Sequence, residues 1–154
     1  MDAKSISVNP LKGACRIFQQ DLESLPAEAF AQKLGGKART VADITFEVML
    51  VNDHVGMVMR GEEPFAWPEG GWITAPENLK SKEAVTAAFA ASTQKLIETV
   101  EAFSEEQFTE PLATEDGETT RAERCRFMTL HLWYHSGQLN FIQTLLGDDN
   151  WNWK

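Results

Sequence analysis

The sequence predicts an all-α protein, a four-helix bundle with a long crossover loop between its second and third helices. Three observations predict it. Apolar residues recur at the helical period in four separate stretches, and no stretch reads convincingly as a strand. The second and third stretches open on hydroxyl residues suited to capping, Thr40 and Ser81. Between those two stretches lies GEEPFAWPEGGWITAPENLK, residues 61–80, a connection long enough to let neighbouring helices run the same way.

The first helix is expected over residues 9–24, where Leu11, Cys15, Phe18, Leu22 and Leu25 follow helical spacing. Pro26 then opens PAEAFAQKL, suited to one or two helical turns, and Gly35 with Gly36 ends it. The second helix starts at Thr40, where Thr40-x-x-Asp43 resembles a capping box with Asp in place of Glu, and runs to about Gly61. Its inward stripe is expected to carry Ile44, Glu47, Val51, His54, Val55 and Val58, with Asp53 pointing to solvent. The loop 61–80 carries Phe65, Trp67 and Trp72 and suits either a ligand-facing lid or a plain crossover. Ser81 caps the third helix, which turns Val85, Phe89, Ser92, Leu96 and Phe103 inward. SEEQF adds a turn, Pro111 breaks it, and ATEDGETT forms a short hairpin or simply leads onward. The fourth helix starts near Glu118–Arg121 and ends at Gly147. Trp151 and Trp153 in the tail are expected to close an end of the bundle, a dimer contact being the alternative.

At 154 residues, 43 % apolar and 24 % charged, the chain fits one domain spanning residues 1–154 with a substantial core. No apolar run is long enough for a membrane helix, and the N-terminus lacks a signal-peptide core. Cys15 and Cys125 are far apart, which suits two free thiols in a reducing cytoplasm. A net charge of −9 without clustered Lys or Arg argues against nucleic acid as a partner.

The chemistry concentrates in RCRFMTLHLWYHSGQLNFIQTLL, residues 124–146. His131 and His135 are four residues apart, so both imidazoles leave one helix face, with Gln138 about 20° to the other side of His131. That stripe, flanked by Phe127, Met128, Leu139, Ile142, Leu145 and Leu146, is read as the inward face. Buried polar groups need partners, and a metal ion is one partner for paired imidazoles. Two ordinary core histidines are the bland alternative. Glu47 poses the same question on the second helix: it is metal-bound or paired with a cation, Arg124 being the candidate. No glutamate lies between the histidines, so the zinc-protease motif is absent. Tyr134 is near the stripe and could donate a proton, although packing explains it as well.

His131-x-x-x-His135-x-Gly137-Gln138-Leu139, with the Thr40-Val41 helix start and the long loop after that helix, resembles the DinB-like superfamily over nearly the whole chain. The resemblance implies a four-helix bundle, often a homodimer, holding a divalent metal. The family's ligands are one histidine on the second helix and an HxxxH pair on the fourth. His131 and His135 match the pair; the second-helix position falls on Glu47, while His54 lies two turns further on. The resemblance therefore implies Glu47/His131/His135 or His54/His131/His135, and alignment favours the first. It also implies zinc or nickel, with iron as a third option, and in some members a low-molecular-weight thiol cosubstrate. Gln138, Tyr134 and Arg124 are the candidates for supporting the ligands.

Three protein ligands leave an open coordination position, the mark of a catalytic metal site. Three readings follow: a metal-dependent hydrolase or thiol-dependent transferase acting on a small molecule, a non-catalytic metal- or ligand-binding stress-response protein, and a structural dimeric bundle that has lost its metal. No catalytic residue beyond the ligand set is assigned by the sequence.

Overall fold

The structure is a computed structural model describing residues 2–115 and 117–154; Met1 and Asp116, the latter within the expected ATEDGETT turn, lie outside the described residues. Four helices form the bundle: α1 (Ala3–Ser24), α2 (Val41–Arg60), α3 (Lys82–Glu101) and α4 (Arg121–Leu145). Around the bundle the packing order is α1–α4–α2–α3, since α1 lies against α4 and α3 while α2 lies against α3 and α4. The core between them is built from residues such as Leu11, Phe18, Val48, Phe89, Met128 and Leu132.

Helix α1 starts earlier than its apolar pattern predicts. Asp2 caps it, accepting from the Ser5 amide at 2.6 Å, and Pro10 sits inside the helix instead of at its start. Proline removes one rung of the helical ladder. Burial of Val8, Leu11 and Ala14 around it keeps the helix continuous. The short turn expected after Pro26 is a 3₁₀ turn, Ala27–Phe30, with Phe30 fully buried.

Helix α2 begins and ends where its sequence signals place it. The Thr40 hydroxyl accepts from the Asp43 amide at 3.0 Å while Asp43 accepts from the Thr40 amide, and Gly61 closes the other end at φ 73°. Its buried line runs through Ile44, Val48, Val51, Val55 and Met59. Glu47, His54 and Val58, expected on that line, are half-buried on its shoulder, about 40–80° round from Ile44.

The connection 61–80 contains a 3₁₀ turn, Glu77–Leu79. It is pinned to α2 by Asp43, whose other oxygen accepts from the buried Ala75 amide at 2.8 Å. Helix α3 buries Val85, Phe89, Thr93, Leu96 and Val100; the expected inward Ser92 and Phe103 are half-buried, Ser92 accepting from Asn52 at 3.1 Å. A hairpin does form before the last helix: β1 (Pro111–Thr114) pairs antiparallel with β2 (Gly117–Thr120). Thr120 and Glu123 then make a second capping box that starts α4.

Helix α4 is rotated from its expected orientation. Beyond Arg121 in its first turn, its buried residues are Cys125, Met128, Leu132, His135, Ser136, Leu139, Ile142 and Gln143, so the inward face centres near Leu139. Phe127 and Leu145, expected to flank the inward stripe, are exposed, and His131 lies at the margin. The tail crosses α1 and α4: the Trp153 indole donates to Asp21 at 2.7 Å and meets Trp133 edge-on. Trp151 is exposed. Among the described residues no helix is long and apolar enough to cross a membrane. Both cysteines are buried and free, and burial pushes each thiol up to about 12.

Candidate metal centre

Helices α2 and α4 bring three ligand-type side chains to one point. The His131 and His135 Nε2 atoms lie 3.1 Å apart, and Glu47 Oε1 stands 3.8 Å from the first and 3.5 Å from the second. One donor atom from each of the three falls within 4.8 Å of the others, an arrangement that could hold a metal ion. The grouping follows from the local structure. Four-residue spacing stacks the two imidazoles on α4, and the shoulder position of Glu47 on α2 turns its carboxylate across the groove between the helices.

Arg39, just before the α2 cap, organises the carboxylate. It pairs with Glu47 Oε2 through Nη1, leaving Oε1 to face the histidines. Its Nη2 donates to Gln138 Oε1 at 3.2 Å, and its guanidinium carbon lies 4.5 Å from the centre of the Trp72 ring. Glu47 is therefore paired with Arg39 and not with Arg124, the expected partner. Arg124 instead donates to Thr119 at 3.0 Å and lies 6.0 Å from the Phe127 ring centre. Arg124 starts two turns before His131, about 10 Å along the helix axis, and its side chain is held at Thr119.

The ring nitrogens can be assigned from this network. Gln138 Oε1 accepts from Arg39, so the amide oxygen is the atom facing His135 Nδ1 at 2.9 Å. Arg39 Nη2 also stands 3.5 Å from this nitrogen, but the shorter contact to the Gln138 oxygen favours a proton on Nδ1, which turns the His135 Nε2 lone pair to the cluster. His131 lacks such an anchor: its Nδ1 is buried without a hydrogen-bond partner among the described residues, and its ring stacks on Phe127 at 5.9 Å. Burial and the neighbouring His135 pull the His131 pKa from 6.5 down to about 4, against the opposing pull of Glu47. His135, 1 % exposed, is lowered by burial as well. Both rings are neutral at pH 7, the form that binds metal. The donor set, two neutral imidazoles and a carboxylate, fits a divalent cation.

His54 stands apart from this group. Its ring meets Phe65 at 5.3 Å and Trp67 at 5.8 Å, both edge-on, so the loop aromatics enclose it two turns from Glu47. Tyr134 is exposed, its ring 4.9 Å from His135. Cys15 is not a member of the cluster. Arg39 is the residue that the sequence pattern passed over. Its only sequence signal is position: it is the cation next to the start of the helix that carries a carboxylate near its apolar face. Asp21 was passed over too. This carboxylate, 2 % exposed, accepts from Ser136, Asn140 (3.1 Å) and Trp153, and burial raises its pKa against those hydrogen bonds.

The fold and this cluster define an all-α bundle protein with a Glu/His/His group between its second and fourth helices. The description of the DinB superfamily matches residues 11–139, and the chain belongs to that superfamily. Among solved structures it is similar to a conserved protein of Enterococcus faecalis, at 16 % identity and a TM-score of 0.69, over 94 % of this chain and 97 % of that one. That likeness shows the fold. No curated protein sequence matches the chain.

Proposed function

We propose that the protein binds one divalent metal ion through Glu47, His131 and His135 and uses it on a small-molecule substrate, as a hydrolase or as a thiol-dependent transferase. The observation that carries this reading is the convergence of one donor atom each from Glu47, His131 and His135 within 4.8 Å of one another. The 2.9 Å contact of His135 Nδ1 with Gln138 Oε1 supports it by favouring a proton on Nδ1, with Nε2 turned towards His131 Nε2 and Glu47 Oε1. Two imidazoles and a carboxylate suit zinc, nickel or ferrous iron, and the preference for zinc or nickel comes from the superfamily resemblance. Such an ion would supply Lewis acidity and lower the pKa of a bound water or thiol. The chain's own residues supply the rest: Arg39 orients Glu47, Gln138 orients His135, and Phe127 stacks against His131.

A second reading has its own observation. The Arg39–Glu47 pair satisfies the carboxylate without a cation, so the cluster could be a retained structural network. One experiment separates the two: metal analysis by mass spectrometry of untagged protein purified without chelator and then offered zinc or nickel. The expected result is one equivalent per chain, lost in Glu47→Ala and kept in His54→Ala. No bound metal in the wild type would leave the structural reading. Loss in His54→Ala with retention in Glu47→Ala would move the third ligand to His54.

A further inference from the structure

A cavity of about 480 Å³ lies beside the metal centre and shares Arg39 and Gln138 with it, while Glu47, His131 and His135 do not line it. The volume is that of a ligand pocket. Its walls are largely apolar, with Leu34 from the segment before α2, Ile44 from α2, and Phe141, Ile142 and Leu145 from α4. Trp72 from the long loop completes one side and lies against the Arg39 guanidinium.

The charge on these walls runs against the charge of the chain. The protein has 23 acidic and 14 basic residues, yet the cavity lining contains Lys37 and Arg39 and, among the described residues, no carboxylate. Lys37 is exposed and makes no ion pair among the described residues. Arg39 commits one N–H to Glu47 and one to Gln138. A guanidinium carries five, so donors remain for a further acceptor. Glu47 offsets the Arg39 charge from behind the wall, so Lys37 supplies the net positive charge and Arg39 the spare N–H donors. With no carboxylate among the described lining residues, an apolar chamber of this kind matches an acid group on a hydrophobic body.

We propose that this cavity binds a small organic anion with an aromatic or aliphatic body, its acid group between Lys37 and Arg39 and its body against Ile44, Phe141 and Ile142. The proposal does not rest on metal binding, because no member of the Glu47/His131/His135 group lines the cavity.

The test is calorimetric titration of the full chain with phenylbutyrate and with its neutral amide, phenylbutyramide, in chelator-treated and zinc-supplemented samples. In the wild type the carboxylate should bind about tenfold tighter than the amide in both samples. Lys37→Glu, at an exposed position, should lower carboxylate affinity by about tenfold or more and leave amide affinity unchanged. Phe141→Ala, also at an exposed position, should weaken both probes several-fold. Equal affinities for the two probes, carboxylate binding indifferent to Lys37→Glu, or no binding of either probe at millimolar concentration would overturn the proposal. Carboxylate binding seen only with zinc would also overturn it, by making the acid a metal ligand. Carboxylate preference in a protein that takes up no metal would sustain this inference while removing the metal reading.

Discussion

His135 Nδ1 lies 2.9 Å from Gln138 Oε1, and this contact decides which side of the imidazole can meet a cation. With the proton fixed on Nδ1, the ring needs no tautomer change to bind through Nε2. Gln138→Leu removes the acceptor, and metal affinity should fall by about 10- to 100-fold. Gln138→Glu restores an acceptor at the same reach and should recover most of the loss. Competition titrations with a chromogenic zinc chelator would measure both. Equal affinity for wild type and Gln138→Leu would show that the hydrogen bond does not set the ligand.

Arg39 carries a structural burden and an orienting one. Its side chain is 8 % exposed and that of Glu47 18 %. Arg39→Gln leaves a mostly buried carboxylate without its cation, with a cost of about 2–4 kcal/mol in urea unfolding of the metal-free protein. A second substitution, Glu47→Gln, should return part of that stability because it removes the unpaired charge. If the double variant is no more stable than Arg39→Gln alone, the pair is not what Arg39 contributes.

The histidine cluster gives the metal-free protein an acid-sensitive stability. His131 has a folded pKa of about 4 against 6.5 for the free side chain, so the unfolded chain takes up the proton first as pH falls. The stabilisation from keeping His131 neutral is complete above pH 6.5 and is lost between about 6.5 and 4, a change of up to about 3 kcal/mol. His135 is shifted the same way and adds to the loss. Asp21 is shifted upward, so its contribution has the opposite sign: it favours folding at low pH and fades as pH rises through its folded value. Urea unfolding of chelator-treated protein at pH 7.5, 5.5 and 4 should show the net fall. In His131→Phe the fall should be shallower.

Asp21 ties the tail to the bundle. Its carboxylate receives the Ser136 hydroxyl, the Asn140 amide and the Trp153 indole. Asp21→Ala would strand these donors and lower stability by about 2–3 kcal/mol. The tail should also detach, since the Trp153 hydrogen bond is lost. A red shift of tryptophan emission under native conditions would report this, with Trp153→Phe as the control that suppresses it.

Much of the bundle was legible in the sequence because helix periods and caps are local signals. Thr40, Asp43 and Gly61 bound α2 through contacts within a few residues of one another. The orientation of α4 was not legible in the same way. Phe127, Leu130, Trp133, Phe141 and Leu145 face outward while Cys125, Met128, Leu132 and Leu139 face inward, so apolar residues surround the helix and periodicity cannot pick its buried side. The start of α1 was hidden by Pro10, which reads as a boundary until the Asp2 cap is seen. The grouping of Glu47 with His131 and His135 is a relation between helices that the family resemblance suggested. The Arg39 partnership was invisible, because a residue before a helix cap has no periodicity to place it.

Asp43 holds both the first turn of α2 and the backbone of the long loop at Ala75, three residues beyond Trp72. The tryptophan that lies on Arg39 therefore hangs from a short tether whose far end is fixed to a helix terminus. Access to Arg39 past this ring should be governed by rotation about the Trp72 side-chain bonds, on the nanosecond scale of exposed rotamers, and not by slow excursions of the whole loop. Exchange of a small molecule at this point should then be fast, and the equilibrium occupancy, more than the rate of entry, should decide what the protein retains.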